Sequence, residues 1–423
     1  MTPPRVLIIS NNSFSSVYNN GKTLEALFSS FPKDNLAQLY FHEGSVPDFS
    51  FCERYWKISE IDLIKSITRG RQSIGYNIKS SLCEISGSNK STYPKYLKII
   101  KDKTGNTFRD LLWSFLKWRS PGLLEWINSF EPQVIFFVGS SAKFSSKVAM
   151  ELSSFLGAPL AVYYTDDYLF SMPQDTLLGK LRYSKVERLY NSVVSKSSAC
   201  FAIGEMMAGE YSIYFKKPFV PVMNSVPIIP YEGYNYRDKT ILSYFGGLHL
   251  NRWCMLSRLS LLLPKDCVLD VYTAPENITE EVSKSFKNTG INYKGLLSGD
   301  ELNMAMRNSD VLLHVESDDR RNRMFTRLAV STKIPEYLIT GRPVIGFGPS
   351  EVASMRILSD NKIGYVVSSC DDDRVIMNKL SEIMRDFSGR KEMGERGYQY
   401  AKREFDMKLN SEKLKEVLAS LIP

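Results

Sequence analysis

The residues whose types and spacing carry the most chemistry lie at 331–351, STKIPEYLITGRPVIGFGPSE. Ser331 and Thr332 are residue types that cap helices, and a helix start presents free N–H groups and a partial positive dipole to a phosphate. Lys333 adds a full positive charge beside them. Glu336, one helical turn on, is placed to accept hydrogen bonds from two vicinal hydroxyls, the pair that a ribose offers. Gly341 then closes the helix, Pro343 opens the next strand region, and Gly346 and Gly348 permit close backbone approach where that strand stops. Singly these are an ordinary cap and a solvated helical glutamate; together they describe a nucleotide site at the carboxyl end of a parallel strand.

Other segments carry weaker chemistry. In YFGGLHLNRW (244–253) a strand ends in Gly246 and Gly247, and Arg252 follows, an order that suits a diphosphate. His249 in the same loop reads as a packed or exposed loop residue rather than a catalyst. YYTDDYLF (163–170) ends a strand in Asp166 and Asp167, which either orient an acceptor hydroxyl and take its proton or cap the following turn. SNNSFSSVYNNGKTL (10–24) places Asn20 and Gly21 just before an expected helix, where a glycine lets the loop approach a ligand; the same tripeptide is also a common turn. The basic stretch 318–327, DDRRNRMFTR, reads as a sugar or phosphate contact or as a solvated loop.

Such residues need a scaffold, and the apolar runs supply one. VLIIS (6–10), VIFFVG (134–139), LAVYYT (160–165) and ACFAIG (199–204) have the length and β-branched or aromatic content of buried parallel strands. Between them, 142–157 repeats apolar residues every three to four positions and ends at Gly157, a helix with its C-cap. Strand and helix in alternation predict right-handed crossovers and a doubly wound α/β sheet. The proline-rich, aperiodic 218–236 reads as a connector. After it the alternation restarts at 241–247, 267–273, 291–295, 310–316, 343–348 and 364–367. The predicted organisation is therefore an N-terminal Rossmann-like domain over 1–225, a second over 226–395, and a closing helix over 396–423. A basic, aromatic stretch at about 60–120 interrupts the first domain. Within it, 93–120 reads either as an amphipathic helix at an anionic membrane surface or as a surface helix packed on the first domain.

Composition narrows the class. A chain of 423 residues exceeds one ordinary core, and 43% hydrophobic with 24% charged residues is globular. A formal charge of +8 favours an anionic partner, but no zinc-finger spacing or RNP aromatic pair is present, which argues against nucleic acid. Six scattered cysteines without a CxxC pair argue against a disulfide framework or zinc site and for a reducing, cytoplasmic setting. No apolar run is long enough to span a bilayer, and the N-terminus reads as a strand rather than a signal peptide.

The 331–349 motif resembles the donor-binding motif of the group 1 glycosyltransferases of GT-B fold, a large retaining, family 4-like group that includes many enzymes of bacterial polysaccharide assembly. The resemblance is clear over 198–367 and leaves 45–125 unmatched. It implies two Rossmann-like domains facing across a cleft, with the C-terminal helix crossing back. It implies a nucleoside diphosphate sugar as co-substrate, no other cofactor and no metal, and transfer to a hydroxyl of a glycan or lipid-linked acceptor with retention. The cytoplasmic protein would then sit peripherally at the inner face of a membrane. By the same resemblance Glu336 binds ribose, the amides at Ser331 and Thr332 meet the diphosphate, and Arg252 neutralises it; the Lys that the family carries after the same turn is missing here, and Lys333 is the residue that would replace it. Tyr293 belongs to the base-contacting segment, Gly21 to the glycine loop of the first domain, and Gly247 to the turn before Arg252. Asp166 and Asp167 fall near the reaction centre. The acidic residue that the family places eight positions before Glu336 is Leu328 here, which leaves the donor sugar open. A nucleotide-sugar epimerase of the same architecture and a non-catalytic scaffold are the alternative readings.

Overall fold

The computed structural model describes residues 3–15, 19–42, 44–69, 74–79, 106–116, 118–233 and 240–422. Two compact units emerge: Met1–Val222 together with Lys408–Pro423, and Met223–Met407.

The first unit carries β1 (Val6–Ser10), β2 (Leu36–Tyr40), β3 (Arg54–Lys57), β4 (Tyr76–Ile78), β5 (Val134–Val138), β6 (Leu160–Tyr164), β7 (Ala199–Ala202) and β8 (Val220–Pro221). They form one sheet in the order β4-β3-β2-β1-β5-β6-β7-β8, parallel apart from the antiparallel β3–β4 pair. β1, β5 and β6 are the apolar runs expected from the sequence, buried on both faces as a sheet covered by helices requires. β2 and β3 were not visible as apolar runs because they contain Gln38 and Lys57. The structure shows why Gln38 is tolerated in the core. Its amide accepts from Phe14 N at 2.9 Å and donates to Ser10 Oγ at 2.8 Å, so it is satisfied by the loop after β1. The helix Lys143–Leu156 ends where Gly157 turns left-handed, φ 64°, as the sequence predicted.

In the described part of the 60–120 stretch the tryptophans pack inward, while Phe115 is exposed. Trp113 and Trp118 are buried, and Trp113 stacks on Phe144 with ring centroids 4.2 Å apart. Arg109 lies over the same Phe144 ring, 4.5 Å from its centroid, and pairs with Glu60. Trp113 therefore belongs to a helix, Asn106–Phe115, docked on the unit, and Trp118 is buried in the loop after it; residues 93–105 lie outside the described residues.

The second unit carries β9 (Thr240–Phe245), β10 (Cys267–Tyr272), β11 (Asn292–Gly295), β12 (Val311–Val315), β13 (Val344–Gly348) and β14 (Tyr365–Ser368). All six are parallel, in the order β11-β10-β9-β12-β13-β14. Leu242, Leu269, Leu313 and Ile345 on the strands meet Leu256 and Leu380 from the covering helices in one core.

The end of the chain is two helices rather than the single closing helix expected from its periodicity. Phe387–Glu404 belongs to the second unit, where Tyr398 donates to Ile229 O at 2.8 Å. A bridge between Val226 and Asp406 then breaks the helix, with Val226 N donating to Phe405 O at 2.8 Å and Met407 N to Val226 O at 3.0 Å. Met407–Ser420 follows, and from Lys408 the chain belongs to the first unit. There Ser411 donates to Leu27 O at 2.8 Å and accepts from Ser30 N at 3.0 Å.

Candidate functional site

In the second sheet the strand order reverses between β9 and β12, which makes their carboxyl ends a topological switch point, the usual ligand crevice of such sheets. Most residues singled out from the sequence in this unit converge there. β9 runs into Gly246 and Gly247, and the turn is held by Tyr244 donating to Gly247 O at 2.7 Å. A Cβ on Gly247 would fall 2.6 Å from His249 Nδ1, so a larger residue there would push the exposed His249 ring aside. Leu250 (φ 58°) and Asn251 (φ 59°) are both left-handed before the helix Arg252–Leu262 begins. Two consecutive non-glycine residues in that region store strain of about 1–2 kcal/mol each, a cost that the surrounding packing must offset.

Arg252, at the start of that helix, reaches across to the end of β12. Its Nε donates to Val315 O at 3.1 Å, and Nη2 donates to Glu316 Oε2 at 3.0 Å and Oε1 at 3.2 Å. Glu316 is buried, its side chain 3% exposed, and His314 Nε2 lies 3.2 Å from Oε1. Burial by itself raises the Glu316 carboxyl. The Arg252 charge and the His314 contact outweigh it and hold the group below the usual carboxylate range. Glu316 is thus ionised and fixes the Arg252 guanidinium. The sequence reading passed over it; the signal was an acidic residue ending a fully buried parallel strand.

The helix carrying the nucleotide motif is short, Lys333–Leu338, and is pinned beside β9 by Tyr337. That buried hydroxyl accepts from Phe245 N at 3.0 Å and donates to Phe245 O at 3.1 Å. Lys333 and Glu336 are half-buried on the same helix and pair with each other at 2.5 Å. Ser331 and Thr332 divide the capping role unequally: Ser331 Oγ accepts from Lys333 N at 3.3 Å, whereas Thr332 has helical dihedrals and makes no side-chain cap. The Ser331 amide donates to Ser354 Oγ at 3.0 Å. Leu328 is fully buried. Tyr293 is half-exposed on β11, the edge strand, two strands from β9, or about 10 Å by strand spacing.

In the first unit Gly21 lies inside the first turn of the helix Asn19–Phe28 rather than just before a helix. A Cβ there would sit 2.6 Å from Ser15 Cβ, so the helix rests directly on the loop after β1. The two aspartates after β6 separate in role. Asp167 is fully buried, and its Oδ1 accepts from Leu169 N at 3.0 Å, Phe170 N at 2.9 Å and Tyr211 at 2.9 Å. It is a turn cap. Asp166 is half-buried and accepts from Thr165 at 3.1 Å and Tyr168 at 3.3 Å. Burial raises its carboxyl above the ordinary value, and the two hydroxyl contacts offset only part of that. Of the two, only Asp166 keeps part of its side chain accessible. Among the described residues, no group of three or more His, Cys, Asp or Glu side chains could hold a metal ion, and no helix is long and apolar enough to cross a membrane.

No protein-family model matches the chain, and no curated protein matches it. Solved structures match it in shape along nearly its whole length. HepE of Anabaena, in complex with UDP, superposes with a TM-score of 0.63 at 12% identity, over 98% of this chain and 100% of that one. Sucrose-phosphate synthase of Thermosynechococcus elongatus gives 0.64 at 11% identity over 99% of both chains. WaaG, a glycosyltransferase involved in lipopolysaccharide biosynthesis, gives 0.60 at 11% identity over 98% of this chain and 99% of its own. Two mostly parallel sheets, each with its own switch point, and this full-length likeness establish that the chain has the GT-B fold.

Proposed function

We propose that this protein is a glycosyltransferase that binds a nucleoside diphosphate sugar on its second unit and transfers the sugar to a hydroxyl of a glycan or lipid-linked acceptor. The observation that carries the reading is the convergence of the Gly246–Gly247 turn, Arg252, Lys333 and Glu336 at the β9/β12 switch point. Glu336 grips the ribose hydroxyls. Lys333, one turn away, places its ammonium on the diphosphate and stabilises the departing charge, with Arg252 contributing from the other side of the switch point. Arg252 is shared with Glu316, so its guanidinium is preorganised rather than mobile. In this mechanism side chains and backbone dipoles meet the leaving group without a metal. Tyr293 lies toward the base. Asp166 orients the acceptor hydroxyl and accepts its proton. Retention at the anomeric carbon and a cytoplasmic, membrane-peripheral setting complete the proposal. HepE has been solved with UDP-glucose, which makes a uridine diphosphate sugar the first donor to try.

Calorimetric titration of UDP into the wild type and Glu336→Ala tests the site. Loss of the ribose contacts should weaken binding by about tenfold or more, and equal affinities would refute it. Acceptor-dependent release of UDP from a UDP-sugar supports transfer, whereas sugar interconversion without release would identify an epimerase.

A further inference from the structure

Three exposed leucines stand close together on one helix of the first unit. The helix Leu177–Lys196 starts at Thr176, whose hydroxyl accepts from Gly179 N at 3.0 Å, and buries Leu189, Tyr190, Val193 and Val194 in its second half. Its first turns carry Leu177, Leu178 and Leu181, exposed to 77%, 58% and 54%. At about 100° per residue, Leu177 and Leu181 lie roughly 150–170° around the axis from the mean direction of the buried four. They are therefore not a frayed part of the core stripe but its opposite face. Lys180, Arg182, Lys185 and Arg188, all exposed, are interleaved with these leucines. The one carboxylate among them, Glu187, accepts a hydrogen bond from Tyr214. Tyr214 also lies 3.2 Å from the Tyr183 hydroxyl, and its neighbour Ile213 on the helix Gly204–Phe215 is 81% exposed.

We propose that this ridge docks the protein on an anionic lipid surface. An apolar crest flanked by four cations is the pattern of a helix lying in a membrane interface, the leucines among acyl chains and the cations at headgroups. The charge of the ridge is complementary to a bilayer carrying phosphate. This surface differs from the 93–120 stretch considered from sequence, where Trp113 and Trp118 are buried. Docking here would bring a lipid-anchored acceptor to the unit that carries Asp166; that consequence rests on the transferase reading, whereas the docking does not.

The test is flotation of the full chain with vesicles of phosphatidylglycerol and phosphatidylcholine in equal parts, and with phosphatidylcholine alone. The wild type should float with the anionic vesicles only, and raised salt should release it. Leu177→Ser, Leu178→Ser and Leu181→Ser combined should lower the partition coefficient at least about tenfold, as should Lys180→Gln, Arg182→Gln and Lys185→Gln combined. Unchanged circular dichroism would show that both variants fold. Absence of wild-type flotation would overturn the proposal, and so would equal flotation of the serine variant. A wild-type dimer in vesicle-free sedimentation that the serine changes convert to monomer would instead assign the ridge to a second copy of the chain. UDP titration reads the donor site separately, so failure there leaves the vesicle result standing.

Discussion

Replacing Glu316 by glutamine keeps the shape at the β9/β12 switch point and removes the charge that holds Arg252. With Nη2 and Oε2 3.0 Å apart and an effective dielectric near 20, the attraction is about 5.5 kcal/mol before desolvation. Most of that offsets the cost of burying the two ions, so the pair itself contributes little net stability. Breaking it by changing one member is different, because the Arg252 guanidinium, only 15% exposed, is left without its counter-charge. Such changes cost about 3–5 kcal/mol; partial water access to Arg252 puts the expectation near the lower bound, about 3 kcal/mol. The chain has two units, so a single unfolding midpoint would mix them. Hydrogen exchange across a urea series, read in peptides covering 240–262 and 311–316, isolates the second unit. A loss below about 1 kcal/mol would equate the pair with an exposed surface ion pair and refute the reasoning. The sign with pH follows from the depressed carboxyl. The pair's stabilisation is present above the unfolded value of 4.5 and is lost as pH falls through the lower folded value; Glu316→Gln should lack that component.

The two aspartates after β6 should separate cleanly. Asp166→Asn is expected to lower transfer by about 10²–10⁴-fold with donor affinity intact, and to abolish an acid limb that in the wild type lies above the ordinary aspartate value of 3.8; an unchanged pH–rate profile would remove Asp166 from the proton path. Asp167→Ala should cost about 2–4 kcal/mol in the first unit, because two amides and the Tyr211 hydroxyl lose a buried acceptor, and a shift within 0.5 kcal/mol on the same exchange scale would contradict its role as a cap. Burial, with Asp48 adding and Lys22 opposing, pushes Glu25 up to about 7, so the folded state binds the extra proton between 4.5 and about 7 and stability falls as pH rises through that window. Glu25→Gln should therefore stabilise the first unit at pH 8 by up to about 3 kcal/mol, with no gain below pH 4; a gain independent of pH would point to packing instead.

The fold was legible where a strand is an apolar run, or, as for the polar β11, where it keeps the alternation of strand and helix. β1, β5, β6 and all six strands of the second sheet fall within a residue or two of their expected runs. β2 and β3 were not, because the burial of Gln38 is made possible by Phe14 and Ser10, partners that a linear reading does not bring together. The same holds in the site. Lys333 and Glu336 stand three positions apart and were visible as a motif, but the Glu316 that fixes Arg252 lies 64 residues from it and became apparent only when β9 and β12 were seen to be neighbours. The break at Asp406 likewise depends on Val226, so periodicity alone read the end of the chain as one helix.

The return of the segment from Lys408 to the first unit has a consequence for synthesis. On the ribosome, residues 1–222 emerge first, yet the piece that gives Leu27 and Ser30 their Ser411 partner is made only after the entire second unit. The first unit must wait, part-finished, while some 180 residues (223–407) are translated and begin to fold. A stop codon within the second unit would thus also strip a helix from the first.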